Sequence, residues 1–186
     1  MEKEEILQRT KESIFALFEE IKSNPENYKL ECDVHFDLYF LLNHKNEIFW
    51  KNKSVEVEYR IKEKSEERMD IVIYDLDQDE PHEVIAIEIK CNSIDEYKGQ
   101  NLNGGRYRDI EWDFYKLSKM KKEYTDIEPI FIYVKNNEKS VSDNYKKIIE
   151  NIKGYKEKYT DALVYILDID DKKLIDNERF MLLMTD

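Results

Sequence analysis

Arg68-Met69-Asp70-Ile71-Val72-Ile73-Tyr74 and, after an acidic turn, Val84-Ile85-Ala86-Ile87-Glu88-Ile89-Lys90-Cys91 decide the fold. Both are short apolar runs rich in β-branched residues near the middle of the chain, the pattern of central strands. The second run ends by placing Glu88 and Lys90 two residues apart. Side chains alternate across a strand, so both point to one face. A carboxylate and an ammonium at the end of a buried strand are costly unless they are paired or bind something. Asp70, leading the preceding strand, adds a third charge to the same place. An acid on one strand, with Glu and Lys at alternate positions on the next, suits a magnesium ion and a water beside a phosphodiester.

Working outward, the spacing of Ile6, Ile14, Leu17, Phe18 and Ile21 predicts a helix over 4–23, broken at Asn24-Pro25-Glu26-Asn27. A second amphipathic helix is expected over 30–42, with Val34, Leu38, Leu41 and Leu42 inward, then an irregular turn over 43–53. Strands are expected at 54–61, 70–74 and 84–91. A helix over 109–124 turns Ile110, Phe114, Leu117 and Met120 to one side. Pro129 precedes a strand over 130–134. A helix over 143–158 follows, opened by cap material at 140–143, and two closing strands are expected at 162–169 and 179–184. The order α-α-β-β-β-α-β-α-β-β predicts an α/β fold, a mixed β-sheet flanked by helices.

The chain has 186 residues, 41% hydrophobic and 12% aromatic, enough for one domain (1–186) with a full core. Scarce Gly (4) and Pro (3) argue against long linkers. No run of about 18 apolar residues is present, so no membrane span is expected. The N-terminus Met1-Glu2-Lys3-Glu4-Glu5 is unlike a secretory signal. Two cysteines, Cys32 and Cys91, make no disulfide framework, so a reducing cytoplasm is the expectation. The net charge of −12 counts against coating nucleic acid through bulk electrostatics, yet permits a local basic cleft.

Several chemistries fail on spacing. Asp75-Leu76-Asp77-Gln78-Asp79-Glu80-Pro81 invites a calcium reading, but Glu80 stands where such a loop needs Gly and Ala86 where it needs a bidentate Glu; a solvated hairpin turn is the simpler reading. His35, His44 and His82 are scattered and near no Cys pair, against a zinc site. There is no nucleophile elbow, phosphate-binding glycine loop or dinucleotide fingerprint. Glu-x-Lys alone says little, because Glu20-Ile21-Lys22 and Glu96-Tyr97-Lys98 match it too. Glu88-Ile89-Lys90 is set apart by the β-branched run before it, the acid leading the preceding strand and the helix after a short loop. A structural ion pair at a strand end is the competing reading.

In that setting the chain resembles the PD-(D/E)XK nuclease superfamily, the restriction-endonuclease-like fold, over about residues 31–134. The N-terminal helix and a C-terminal α-β-β segment would then be extensions. Asp70 matches the family's first acid, Glu88 its second and Lys90 its lysine; Met69 stands where the family has Pro. Glu31 resembles the further Glu found on a helix before the strands in many members, with Glu58 as the competing candidate. Residues 106–117, with Asp113, Lys116 and Leu117, are similar to the helix that follows the catalytic strand.

The resemblance implies Mg²⁺-dependent phosphodiester hydrolysis of DNA, with Mn²⁺ able to substitute, in defence, repair or a mobile element. It implies Asp70 and Glu88 as metal ligands with the carbonyl of Ile89, and Lys90 orienting water or stabilising transition-state charge. Glu31 would hold a second metal or position water, and Arg106, Arg108 and Lys116 would contact the phosphate backbone. An ion pair on the helix surface competes for Asp113 and Lys116. No DNA-reading domain is visible, so specificity would come from loops or a second subunit, as in a homodimer. The alternative is a non-catalytic protein of the same fold, binding a protein partner or neutralising a basic toxin as an immunity protein does.

Overall fold

The computed structural model describes residues 3–28, 31–44, 53–61, 67–76, 82–93, 110–136, 142–169 and 171–183. Helix α1 (Lys3–Ser23) is followed by a 3-10 turn (Pro25–Asn27) and helix α2 (Glu31–His44). Strands β1 (Lys53–Arg60), β2 (Arg68–Asp75) and β3 (His82–Ser93) come next. Helix α3 (Ile110–Glu123) leads to β4 (Glu128–Asn136) and helix α4 (Ser142–Tyr159) to β5 (Leu163–Asp168). The short β6 (Lys173–Ile175) and helix α5 (Asn177–Leu183) close the described chain.

One six-stranded sheet runs in the order β1-β2-β3-β4-β5-β6. β1, β2 and β3 form an antiparallel meander, β4 and β5 join in parallel, and β6 returns antiparallel. The parallel joins each need a crossover, supplied by the segments carrying α3 and α4. Alternation sorts the side chains. Ile71, Ile73, Ile85, Ile87, Ile89, Ile130 and Ile132 pack against α1 and α2 through Leu17, Ile21, Val34 and Leu38. Val72, Ala86, Phe131, Tyr133, Val164 and Ile166 face Phe114, Leu117 and Met120 of α3, Ile152 of α4 and Phe180 of α5. Helices on both faces explain why β3 and β4 carry near-continuous apolar runs. Cys91 is buried with the α1/α2 group, on the opposite side from Lys90.

The last predicted strand is corrected. Residues 177–183 form a helix, and the second closing strand lies earlier, at Lys173–Ile175. Asp176 explains the difference: its Oδ1 accepts the Arg179 N–H and its carbonyl the Phe180 N–H, an N-cap that starts a helical turn. The expected turns at 77–81 and 45–52 lie outside the described residues. Among those described, no helix is long and apolar enough to cross a membrane.

Candidate active site

The site begins where β2 leaves β3. Their ladder ends at the pair Ile71–Ile87, while β2 stays with β1 through Met69–Tyr59 and Arg68–Arg60. Beyond Ile87, β3 still presents backbone N–H groups on its β2 side, and buried donors need acceptors. Two carboxylates supply them. Asp70 Oδ2 accepts the Ile89 N–H at 2.7 Å, and Glu31 Oε2, from the first turn of α2, accepts the Cys91 N–H at 3.1 Å. The fork between the strands is therefore filled by acid side chains held in the plane of the sheet.

Glu88 and Lys90 project from β3 toward α3, as alternation requires. Lys90 Nζ lies 3.2 Å from Glu31 Oε2, and both side chains are partly exposed. Glu88 is at the floor, 1% exposed. Its Oε2 accepts a short hydrogen bond from Lys116 of α3, while its Oε1 is buried without a hydrogen-bond partner among the described residues. Lys116 also reaches Asp113 Oδ1 at 3.3 Å and donates to the Arg68 carbonyl at 3.2 Å. Asp113 Oδ2, too, is buried without a hydrogen-bond partner among the described residues.

His35, one helical turn after Glu31 on α2, brings Nε2 to 3.4 Å from Asp70 Oδ2. On the other side of Asp70 stands Glu58 of β1. The pairs on either side, Val57–Ile71 and Tyr59–Met69, put Glu58 opposite Asp70 with no ladder pair between them. Glu58 is also left-handed, φ 53°, at a cost of about 1–2 kcal/mol for a residue with a Cβ. Ligand atoms of His35, Glu58 and Asp70 all lie within 4.8 Å of one another.

Charge is crowded here. Burial alone would push the Asp70 carboxyl up, but His35, Lys116 and the Ile89 N–H together hold it below its ordinary value. Burial, with Asp70 and Asp113 nearby, pushes Glu88 well above the ordinary range in spite of Lys116. Burial likewise lifts Asp113 to about 6 against the pull of Lys116 and Lys90. Burial disfavours charge on Lys90, Lys116 and His35, yet the acids around each raise its pKa: chiefly Glu31 and Asp113 for Lys90, Glu88 and Asp113 for Lys116, and Asp70 for His35.

A pH dependence follows. Between about pH 4 and pH 6 the folded chain holds the Asp113 proton more tightly than the unfolded chain, so this group's contribution to stability falls as pH rises through that window. Asp113→Asn should therefore gain on the wild type between pH 4.5 and pH 7, by at most ~3 kcal/mol. Urea unfolding in EDTA at the two pH values measures it; a constant difference would mean that Asp113 is not held protonated.

The sequence-predicted residues divide clearly. Asp70, Glu88, Lys90 and Glu31 lie around one fork. Asp113 and Lys116 form no surface pair: they are 4% and 8% exposed and reach Glu88. A phosphate contact from Lys116 would require one of its present partners to let go. Arg106 and Arg108 lie outside the described residues. His35 was not anticipated; its place four residues after Glu31 on a helix, hence on the same face, was the available signal.

The arrangement suits a hard divalent cation. Glu31, Asp70, Glu88 and Asp113 set four carboxylates against the ammonium groups of Lys90 and Lys116 and the imidazole of His35, and among the described residues buried oxygens of Glu88 and Asp113 lack hydrogen-bond partners. Oxygen donors with surplus negative charge are what Mg²⁺ requires. No family model, characterised protein or solved structure matches the chain.

Proposed function

We propose that the fork between β2 and β3 is the active site of a metal-dependent nuclease of restriction-endonuclease-like architecture, hydrolysing phosphodiester bonds in DNA. The observation that carries this reading is the buried, unpartnered Glu88 Oε1 in the same cluster as Asp70, with Lys90 two residues along the strand. Asp70 and Glu88 would hold Mg²⁺, or Mn²⁺ in its place; bound there, the ion supplies Lewis acidity toward a phosphoryl oxygen and lowers the pKa of water.

The chain's own groups do the rest. The Ile89 N–H fixes the rotamer of Asp70, so its free oxygen is aimed before any ligand arrives. Glu31 holds Lys90 at the mouth of the fork, where an ammonium can orient a water or meet charge growing on a phosphate. Lys116 donates to Glu88 Oε2 and opposes the burial that pushes this carboxyl up.

A second reading has its own observation. Lys116 already neutralises part of Glu88, and the net charge of −12 suits a basic protein partner rather than a polyanion. On that reading the chain is a non-catalytic binding protein. Incubating the purified chain with plasmid, linear, single-stranded and branched DNA in Mg²⁺, Mn²⁺ or EDTA separates the two. The nuclease reading expects cleavage in metal and none in EDTA, abolished by Asp70→Ala in a folded protein. A wild-type chain inert on every substrate leaves the binding protein.

A further inference from the structure

We infer that the groove between the outer edge of β1 and the end of α3 docks an extended, Arg- or Lys-bearing segment of a protein partner. β1 and β6 are the two edges of the sheet, and they differ. β6 is three residues long and is soon followed by α5, whereas β1 runs for eight residues, Lys53–Arg60. Among the described residues no strand pairs with β1 on its outer side. Alternate residues of such an edge hold N–H and C=O groups that an added strand can bond. Val57, 47% exposed, stands on the same edge.

Glu58 shapes the groove. Side chains two apart on a strand share a face, yet Val55 joins the core under α1 and α2 while Tyr59 and Ile61 join the core under α3. The left-handed Glu58 between them reverses the alternation. A partner strand can therefore pair along Lys53–Val57, about 17 Å of straight edge, before β1 turns. Beyond that point Tyr59 and Tyr124, their hydroxyls 3.2 Å apart, line a groove of about 830 Å³.

Charge selects the occupant. Among the described residues Glu56, Glu58 and Glu123 line the groove against one guanidinium, that of Arg60. Next to them the Tyr59 hydroxyl donates to Glu83 Oε1 at 3.0 Å. Burial pushes the Tyr74 and Tyr124 hydroxyls up, and the negative charge of Glu83 adds to the rise in both. The contact of Glu58 with Arg68 is 3.5 Å long with both side chains about half exposed, a surface pair that yields easily. Tyrosine rings beside carboxylates suit a guanidinium or ammonium carried on a long apolar stem. A polyanion such as DNA is repelled here, whereas a basic strand finds backbone partners along β1 and acids where β1 turns. Asp70, Glu88, Lys90 and Glu31 do not line the groove, so the inference goes beyond the nuclease reading and holds whether or not the chain cleaves DNA.

Titration of the ¹⁵N-labelled full chain with synthetic peptides of about ten residues, followed by amide chemical shifts, tests the groove. A peptide of alternating Thr and Arg should shift the amides of residues 54–60 and 123–124. A Pro-Arg peptide keeps the charge but cannot sustain a strand ladder, and should bind at least ~10-fold more weakly. A Thr-Glu peptide should not bind. Glu56→Lys and Glu123→Lys together should weaken the Thr-Arg peptide about tenfold. Glu19→Lys, at an exposed acid of α1, should change its binding by less than about twofold. Circular dichroism checks folding, and the Thr-Arg and Pro-Arg comparison decides without any variant. No binding of the Thr-Arg peptide at millimolar concentration, equal binding of the Pro-Arg peptide, or an equal loss from Glu19→Lys overturns the inference. Shifts of the β1 amides that depend on protein concentration in the absence of peptide would place a second copy of the chain on this edge and overturn it too.

Discussion

Lys90→Ala should lower the rate of DNA cleavage by about 10²–10³-fold while costing only ~1 kcal/mol of stability. The two effects separate because of where Lys90 stands. Its ammonium lies at the mouth of the fork, paired with Glu31, and both side chains keep part of their solvent contact. Removing it does not strand a buried charge: Glu31 still accepts the Cys91 N–H and is about a quarter exposed. On the nuclease reading, what disappears is a lysine that meets charge growing only in the transition state, so kcat should fall and KM move little. Lys90→Arg should not restore the rate, since a planar guanidinium presents its donors in a fixed fork and does not replace a compact ammonium point charge. Single-turnover cleavage and thermal unfolding of the same preparations check both halves. A Lys90→Ala protein that cleaves at the wild-type rate would remove this lysine from the mechanism.

The parts legible in the sequence are those set by local pattern. Two short runs this rich in β-branched residues favour strands over helices, so β2, β3 and the shared face of Glu88 and Lys90 could be read directly. The heptad-like spacing in α1 and the apolar stripe of α3 were equally plain. What the sequence concealed depends on where elements dock. The i,i+3 pair Asp113–Lys116 looks like a surface pair until α3 lies across β3 and Lys116 meets Glu88. His35 had no meaning until β2 parted from β3 and left Asp70 facing α2. Glu58 faces Asp70 only through the β1–β2 register and a backbone turn that its side chain disfavours. The closing helix was misread for a local reason: Phe180, Met181, Leu182 and Leu183 form a continuous apolar run that suits a strand as well as a helix, and the cap at Asp176 decides it.

Lys116→Met should destabilise the protein by about 3–5 kcal/mol at pH 8, the largest stability loss expected at the site. Lys116 is the ion-pair partner of both Glu88 and Asp113, which are 1% and 4% exposed. Methionine fills a similar volume, so the loss is electrostatic rather than a cavity: two buried carboxylates lose the cation that made ionisation tolerable. Their response fixes the pH dependence. Without Lys116 both carboxyls, already raised by burial, rise further, and the folded chain binds more protons than the unfolded one above pH 4. Stability then falls as pH increases, so the deficit should be large at pH 8 and shrink toward pH 5, where neutral carboxyls remove the penalty. A divalent cation offers a second route to neutrality. If Glu88 and Asp70 hold the ion, millimolar Mg²⁺ should recover more stability in Lys116→Met than in the wild type, because the vacated charge is the one the ion replaces. Urea unfolding of both proteins at pH 5 and pH 8, with Mg²⁺ and with EDTA, gives all four comparisons. Equal stability of the two proteins at pH 8 would show that Lys116 does not neutralise the floor of the fork. A deficit that Mg²⁺ leaves unchanged would keep the buried pair but take Glu88 out of the ligand set.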